Sequence, residues 1–355
     1  MREQFLSASP GRFFGYFLID IRKYLPEGTG RESFKQNGEI DMRYYFAPLE
    51  GITDSIFRSL HSKYFPGVDR YYTPFLSPTV HRGLTAREAR EIPRADTLTY
   101  EAVPQLLTKV SEDFLWLAGV CKDLGYREVN LNTGCPSGTV TAKGKGSGML
   151  RDLGTLEAFL DDIFEKSPLP ISIKTRIGFY DKDEFPAILE LYNRYPIQEL
   201  TIHPRIRDQF YKGSVDMDAF RYALQNSKNP ICYNGDLISL KKVRAFEAEF
   251  QQVDSVMIGR GLVADPGMLS PGGTDMAALE GFYDELFAVY TEVFGSTRNA
   301  MFRLKENWRH LLCKLEGAEK LGKRLRKTTD AGEYKAITHE IFRTLSLREE
   351  MQPDW

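Results

Sequence analysis

The chain alternates short apolar segments with longer amphipathic ones between residues 44 and 258. Apolar, β-branched and aromatic runs predict strands at residues 44–47, 70–73, 98–103, 128–131, 171–174, 199–202, 231–233 and 255–258. Between most of them, apolar residues recur at helical spacing, at residues 54–64, 111–124, 155–165, 184–195, 217–225 and 239–250. Strands that alternate with helices pair in parallel through crossover connections. The pattern therefore predicts an α/β fold, and eight strands over about 220 residues match a closed (β/α)8 barrel, or TIM barrel.

An open, doubly wound sheet is the alternative arrangement of the same elements. Such sheets often carry a GxGxxG turn after the first strand. No such turn follows residues 44–47. The barrel is therefore favoured, and its third strand and helix are the least regular part of the pattern.

The two ends of the chain differ from this alternating region. After Asp265-Pro266-Gly267 the strand pattern ends, and apolar residues recur at helical spacing. We predict a barrel over residues 42–270 and a C-terminal all-helical domain over residues 275–348. Residues 1–41 lack a regular apolar period, which predicts a loosely structured N-terminal extension. No run of 18 apolar residues occurs, so a membrane-spanning helix is not expected.

Charge is nearly balanced over the whole chain but not within the helical region. The formal net charge is −2, and 27% of residues are charged, as in ordinary globular proteins. Residues 301–330 carry nine Lys or Arg against four Asp or Glu, a local net charge of +5. The densest part of this segment is Lys320, Lys323, Arg324, Arg326 and Lys327. Such a run is either a solvated helix face or a patch that contacts nucleic-acid phosphates.

The cysteines and histidines argue against a disulfide framework and against a metal site. The four cysteines lie far apart, and no secretory signal is evident, so we expect a reduced, cytoplasmic protein. The five histidines form no HxxxH or HExxH pair, so no metal is expected. An organic cofactor or unassisted side chains are the remaining sources of chemistry.

Polar residues and glycines follow almost every predicted strand. In a barrel, the active site lies at the carboxyl ends of the strands. These positions are Pro48-Leu49-Glu50-Gly51, Gln105, Asn132-Thr133-Gly134-Cys135, Lys174-Thr175-Arg176, His203-Pro204-Arg205, Asn234-Gly235-Asp236 and Gly259-Arg260-Gly261. The loops after the last two strands suit a phosphate, because glycine N–H groups can approach it closely and Arg260 can add a charged contact. An ordinary tight turn explains either loop alone.

Cys135 is the cysteine whose position suits chemistry. A lone cysteine is more often a small buried apolar residue than a catalyst. Cys135, however, lies in a Gly-Cys-Pro turn directly after a strand, near Lys143 and Lys145. Partial exposure beside cations favours a usable thiol. We interpret the glycine-rich segment at residues 144–148 as a mobile lid.

These segments together resemble the tRNA-dihydrouridine synthases. The resemblance rests on Ala47-Pro48-Leu49-Glu50-Gly51-Ile52-Thr53-Asp54, Pro104-Gln105-Leu106, Asn132-Thr133-Gly134-Cys135-Pro136, Lys174-Thr175-Arg176, His203-Pro204-Arg205, Asn234-Gly235-Asp236 and Ile258-Gly259-Arg260-Gly261. It extends over about residues 42–345, including the basic helical tail. The ordered set is specific, although its single pieces are not.

The resemblance implies an FMN-dependent enzyme that reduces the C5–C6 bond of a uridine in tRNA, with NADPH as the reductant of FMN. By position, Cys135 would donate a proton to C5, and Asn132 would hold the uracil. Lys174 would stabilise negative charge on the reduced flavin. The remaining residues would contact the flavin ring (Ala47, Pro48, Leu49, Gln105), its ribityl chain and phosphate (His203, Asn234, Gly235, Asp236, Gly259, Arg260), or the RNA (Arg176, Arg205, Lys320, Lys323, Arg324, Arg326, Lys327).

Two other functions remain open from the sequence. One is an FMN barrel of the dihydroorotate dehydrogenase type that acts on a free pyrimidine, and the basic tail speaks against it. The other is an RNA-binding barrel without catalytic activity, which would leave Cys135, Lys174 and His203 without a role. The expected partner is tRNA and the expected cofactor is FMN. No obligate protein partner is expected.

Overall fold

The computed structural model describes residues 42–353 except Val80, so the predicted N-terminal extension lies outside the described residues. The strands of the described part are β1 (Arg43–Phe46), β2 (Arg70–Tyr72), β3 (Ala102–Val103), β4 (Gln105–Leu106), β5 (Val129–Thr133), β6 (Ile171–Gly178), β7 (Leu200–Ile206), β8 (Ile231–Tyr233) and β9 (Ser255–Ile258). All neighbouring strands pair in parallel. The prediction of an α/β barrel is confirmed.

The barrel closes at Pro104, between β3 and β4. The sheet order is β3-β2-β1-β9-β8-β7-β6-β5-β4, and its two outer strands are consecutive in the chain. Pro104 has no N–H to donate, so it divides one strand position into two short strands. The carbonyl of Val103 accepts from Thr73 N on one side, and the carbonyl of Pro104 accepts from Asn130 N on the other. The nine strands therefore form eight positions around the barrel.

Pro104 also explains the largest difference from the predicted strands. Residues 98–103 were expected to form the third strand, whereas β3 and β4 lie at its end and beyond it. A 3₁₀ turn, Ala95–Thr97, precedes them. The pairing with β2 and β5, rather than local composition, determines which of these residues are extended.

Helices cover the outside of the barrel and follow it. They are α1 (Ser55–Tyr64), α2 (Ala86–Glu91), α3 (Ser111–Asp123), α4 (Gly138–Thr141), α5 (Leu153–Lys166), α6 (Phe185–Tyr192), α7 (Met217–Asn226), α8 (Leu240–Glu249), α9 (Arg260–Ala264), α10 (Met276–Phe294), α11 (Thr297–Leu311), α12 (Glu319–Lys327) and α13 (Ala331–Thr344). The six helices expected in the barrel are all present. Helices α10 to α13 form the expected C-terminal helical region.

The helical region and the barrel share one hydrophobic cluster. Phe282 of α10 packs on α1, with ring centroids 5.4 Å from Phe57 and 5.2 Å from Phe65. This apolar cluster continues from β9 and α1 through α10, α11 and α13. The division into two domains at residues 270–275 therefore stays a prediction.

His61 holds the segment that leads from the barrel to the helices. Its Nε2 donates to the carbonyl of Pro266 at 3.1 Å, and its Nδ1 accepts from the Tyr71 hydroxyl at 2.8 Å. Burial lowers the pKa of His61 to about 3, so the ring is neutral. His61 is therefore a structural residue.

The helices of the described part of the chain were compared with the requirements of a membrane span. None of the helices within residues 42–353 combines the length and apolar character needed to cross a bilayer.

Candidate functional site

One cleft collects the polar residues that follow the strands. It lies at the carboxyl ends of the strands and encloses about 970 Å³ of space that is open to solvent. All the residues expected at a flavin line it, together with both expected catalytic residues: Ala47, Pro48, Leu49, Gln105, Asn132, Cys135, Lys174, His203, Asn234, Gly235, Asp236, Gly259 and Arg260. Arg176 lines it as well, whereas Arg205 is not among the lining residues.

The loop between β1 and α1 forms one wall of the cleft and is fixed by its own polar side chains. The Thr53 hydroxyl accepts from Leu49 N at 2.8 Å, and Thr53 N donates to the Leu49 carbonyl at 3.0 Å. Asp54 then caps α1 by accepting from Phe57 N at 2.9 Å. Gly51 has φ of +79°, a conformation that glycine adopts without strain. The wall is therefore held in place by hydrogen bonds within its own loop.

Lys174 places a cation at the floor of the cleft. It lies on β6, opposite Asn132 of β5 and Thr201 of β7. Burial, and to a smaller extent nearby Arg176, lower its pKa to about 8, although Cys232 and Cys135 act in the opposite direction. An anionic group bound in the cleft would restore the charged form, because an opposite charge favours ionisation.

The turn that carries Cys135 is held by Asn132. The side-chain oxygen of Asn132 accepts from Cys135 N at 2.8 Å and from Gly134 N at 3.0 Å. The thiol is partly exposed, and burial raises its pKa, with the Ser137 N–H, Arg176 and Lys174 acting in the opposite direction. Cys135 is therefore a neutral thiol near neutral pH.

The glycine-rich segment beneath this turn is packed, so its interpretation as a mobile lid was wrong. Residues 146–150 are buried in a 3₁₀ helix, Gly146–Arg151. Ser147 donates to the Cys135 carbonyl through both its N–H (3.1 Å) and its hydroxyl (2.9 Å). A Cβ on Gly146 would come within 2.8 Å of that carbonyl, so glycine is needed for the close approach. The segment supports the Cys135 turn.

His203 is neutral and has both ring nitrogens engaged. Its Nδ1 lies 2.7 Å from the Asn234 carbonyl, which can only accept, so Nδ1 carries the proton. Its Nε2 accepts from Arg205 Nη1 at 3.3 Å. Burial and then three nearby cations hold the pKa of His203 well below its usual range. His203 lines the cleft as expected, but it supplies no charge to a phosphate.

Arg205 and Asp236 form an ion pair, which bears on the expected role of both. Arg205 is only 1% exposed, and its guanidinium donates to both oxygens of Asp236, at 3.0 Å and 2.5 Å, and to the Gly213 carbonyl. Asp236 also accepts from Arg260 at 3.2 Å. A carboxylate repels phosphate, so Asp236 is suited to orient Arg260 and to accept from ribityl hydroxyls, and its contact with the cofactor stays a prediction. The expected contact between Arg205 and RNA is inconsistent with its burial.

Arg176 is also committed to the protein. Its guanidinium donates to the carbonyls of Gly134, Ile206 and Phe210, at 2.9, 2.9 and 2.7 Å. The residue is 3% exposed. Its hydrogen bonds connect the Cys135 turn to the loop after β7, and these bonds occupy the guanidinium that was expected to contact RNA.

Asn234 and the glycines shape the remaining wall. Asn234 donates through Nδ2 to the Met257 carbonyl at 2.7 Å, so its side chain links β8 to β9. A Cβ on Gly235 would collide with the Tyr233 hydroxyl, and one on Gly259 would lie 3.4 Å from the Ala47 Cβ. A side chain is therefore excluded at position 235, and at position 259 the backbone passes close to the end of β1.

Tyr211 is a cleft residue that the sequence analysis missed. Its ring lies under the Arg260 guanidinium, 4.6 Å from its carbon to the ring centroid, and the side chain is 46% exposed. The preceding residue, Phe210, has φ of +51°, which is unusual for a residue with a side chain. The signal available in the sequence was an aromatic pair, Phe210-Tyr211, in the loop that follows the sixth predicted strand.

The basic residues of the helical region are exposed on α12. Lys320, Lys323, Arg324, Arg326 and Lys327 are all solvent-accessible, while Leu321 and Leu325 of the same helix are buried. Arg324 also pairs with Glu340 of α13 at 2.9 Å. The structure thus presents the expected basic surface, and its contact with RNA stays a prediction.

The fold and the cleft define the class of the protein as a (β/α)8-barrel enzyme. Residues 45–344 match the model of the dihydrouridine synthase (Dus) family, so the chain belongs to that family, whose members are FMN-dependent oxidoreductases acting on uridine in tRNA. A probable tRNA-dihydrouridine synthase of Rickettsia bellii is 26% identical over 239 residues, covering 66% of this chain and 71% of that protein. The tRNA-dihydrouridine synthase B of Proteus vulgaris is 31% identical over 221 residues, covering 62% and 67%.

The residues of the cleft fit the flavin that this family uses. Lys174 and Arg260 supply cations at separate places in the cleft, which suits a cofactor with a phosphate and a ring that gains charge on reduction. Gly235 and Gly259 line the cleft beside Arg260, and a backbone without side chains at these positions suits the close approach of a phosphate. A flavin bound here would have its phosphate at the loops after β8 and β9 and its ring near Lys174.

Proposed function

We propose that this protein reduces the C5–C6 bond of a uridine in tRNA to dihydrouridine, with FMN as the bound cofactor and NADPH as the reductant. The observation that carries the proposal is a neutral thiol, Cys135, in the same cleft as Lys174. A thiol with a raised pKa keeps its proton near neutral pH and can act as a general acid. The presence of all four cysteines as free thiols supports a cytoplasmic location.

Each cleft residue has a defined part in this reaction. FMN, when bound, supplies the hydride that adds to C6 of the uracil. Cys135 donates its proton to C5, and the resulting thiolate is stabilised by the Ser137 N–H, Arg176 and Lys174. Because the thiol is partly exposed, it can regain a proton from water. Lys174 holds positive charge against the flavin ring, which favours the reduced cofactor.

The substrate must present its base outside the stacked RNA. A base within a helix cannot reach the carboxyl ends of the barrel strands, so the enzyme needs a separate grip on the RNA. The exposed basic residues of α12 supply such a grip through phosphate contacts. This arrangement favours tRNA over a free pyrimidine.

The direct test is reduction of an unmodified tRNA transcript by the FMN-loaded protein. We expect NADPH oxidation and a mass increase of two hydrogen atoms in one or more uridine nucleotides. NADH in place of NADPH tests the choice of reductant, and free uridine in place of tRNA tests the alternative small substrate. Protein that binds FMN but leaves the tRNA mass unchanged would contradict the proposal.

A further inference from the structure

A chain of side-chain hydrogen bonds runs through the barrel wall and ends at the Cys135 turn. Asn132, whose oxygen holds that turn, donates through Nδ2 to Gln105 Oε1 at 2.7 Å. Gln105 Nε2 donates to Asn130 Oδ1 at 2.8 Å, and Asn130 Nδ2 donates to Ser172 Oγ at 2.9 Å. Glu128 lies at the far end, where its interaction with Ser172 favours the carboxylate against a pKa raised by burial. Asn130 and Ser172 do not line the cleft.

Strand register brings the members of this chain together. Gln105 of β4 is the direct partner of Asn130 of β5, which is in turn the partner of Ser172 of β6. Residues opposed in this way point to the same face of the sheet, here the interior of the barrel. Asn130 and Ser172 are fully buried, and Gln105 is 1% exposed. Bulk water therefore offers the Asn130 amide no alternative partner.

The direction of every bond in the chain follows from its end at Cys135. The backbone N–H groups of Gly134 and Cys135 can only donate, so Asn132 must present its oxygen to them. Its nitrogen then faces Gln105, which must present oxygen and turn its own nitrogen toward Asn130. Asn130 must accept from Gln105 and donate to Ser172. Each amide has one orientation that satisfies all its partners.

We propose that Asn130 is a positioning residue, which fixes the amide orientations of Gln105 and Asn132 and thereby holds the Cys135 turn. The catalytic consequence rests on the proposed function, whereas the effect on the turn does not. In this orientation Gln105 and Asn132 each keep one N–H outside the chain, and both residues line the cleft. They therefore face a ligand as donors, and the matching ligand groups are carbonyl oxygens such as those of a pyrimidine or a flavin ring.

The test compares three substitutions with the wild type. Asn130→Leu removes the acceptor for Gln105 at similar volume. Asn130→Asp keeps an oxygen toward Gln105, and its carboxyl, which burial keeps protonated, can donate to Ser172 Oγ in place of the amide, so it should restore the orientation. Thr201→Val is the matched control, because Thr201 is a buried barrel residue outside the chain.

Two readouts separate the role of the turn from catalysis. The first is the rate at which iodoacetamide alkylates Cys135 in the protein as purified, followed by peptide mass spectrometry. We expect Asn130→Leu to raise this rate severalfold, and Asn130→Asp and Thr201→Val to match the wild type. The second is tRNA reduction, for which Asn130→Leu should lower kcat about 10-fold or more with KM for tRNA unchanged, because a small misplacement of reacting groups is costly.

The outcomes distinguish the two proposals. An unchanged alkylation rate in Asn130→Leu would overturn the positioning role, whatever the activity. Faster alkylation with no tRNA reduction by any form, the wild type included, would support the positioning role and overturn the proposed function. If Asn130→Leu does not fold, Ser172→Ala is the second variant, because it removes the acceptor of the Asn130 amide. Glu128 also loses its contact with Ser172 in this variant, but it lies at the end of the chain away from Cys135. In that case an alkylation rate equal to wild type would reject the proposal.

Discussion

Arg303 of α11 donates to Asp54 at 2.6 Å and so joins the helical region to the wall of the cleft. Asp54 ends the loop between β1 and α1, caps α1, and also accepts from the Tyr290 hydroxyl of α10 at 2.8 Å. A second ion pair, between Lys314 and Asp265 at 2.8 Å, lies just after α9 and the Gly259 loop. The helical region thus contacts the far end of two loops that line the cleft.

Removal of the Arg303 charge should destabilise the protein. The Arg303 and Asp54 side chains are 22% and 13% exposed, so Arg303→Met leaves a mostly buried carboxylate without its cation. We expect a loss of about 2–4 kcal/mol in the free energy of unfolding, measured by urea denaturation. Arg309→Met is the control, because Arg309 is an exposed residue of the same helix. Equal losses in the two variants would show that the ion pair contributes little.

Cys135→Ala should abolish most of the reduction of tRNA without loss of the flavin. The thiol acts on the uracil, so FMN content and reduction of FMN by NADPH should stay near wild type. The rate of tRNA reduction should fall about 10²-fold or more, the usual scale for a general acid. Cys313→Ala, which removes a buried thiol of the helical region, should keep full activity. A wild-type rate in Cys135→Ala would rule out the thiol as the proton donor.

Arg260→Ala should weaken the binding of FMN. Arg260 is the arginine that lies beside the glycine loops after β8 and β9, oriented by Asp236. Loss of one charge-assisted contact should weaken the free energy of FMN binding by about 1.5–3 kcal/mol, measured by titration of flavin fluorescence. Arg221→Ala, on the outer helix α7, should bind FMN as the wild type does. The phosphate must lie elsewhere if both variants bind equally well.

Lys174 should give the apoprotein a distinctive dependence on pH. Its folded pKa of about 8 lies below the ordinary value of 10.5, so between these values the unfolded chain binds more protons than the folded protein. The burial penalty is therefore fully present below pH 8 and relieved as pH rises. Relative to Lys174→Met, the wild type should gain unfolding free energy across this window.

Urea denaturation on both sides of the window measures that gain. The matched control is Lys182→Met, since Lys182 is 64% exposed. If the unfolding free energies of the wild type and of Lys174→Met change with pH in the same way, Lys174 has its ordinary pKa in the folded protein. With FMN bound, its pKa should rise, because the cofactor adds negative charge.

The α12 surface should govern the salt dependence of tRNA binding. Replacing Lys320, Lys323 and Lys327 by Gln should raise KM for tRNA and flatten the plot of log affinity against log salt, because fewer counterions are released. FMN content should not change. A control triple, Lys228, Lys241 and Lys242 to Gln, removes the same charge from exposed positions of the barrel. Identical slopes in the two triples would direct the search for the RNA contact to the barrel rim.

The sequence was sufficient to predict the barrel and the location of its cleft. The apolar periods identified eight strand positions and the helices between them, and parallel strands bring their carboxyl ends to one side. The residues after those strands could therefore be assigned to one site before the structure was known. Cys135, which follows β5, and Lys174, which lies on β6, line the same cleft for this reason.

Only the tertiary structure determined which polar groups satisfy each other. The partners Arg303 and Asp54 are 249 positions apart, and no local period relates them. Arg205 was expected to contact RNA, yet it is buried and pairs with Asp236 at the edge of the cleft. Asn130 looked like an ordinary strand residue until strand register placed it between Gln105 and Ser172. The spacing of apolar residues along the sequence indicates which side of a helix or strand is buried. Hydrogen-bond partners depend instead on how elements distant in the sequence pack together.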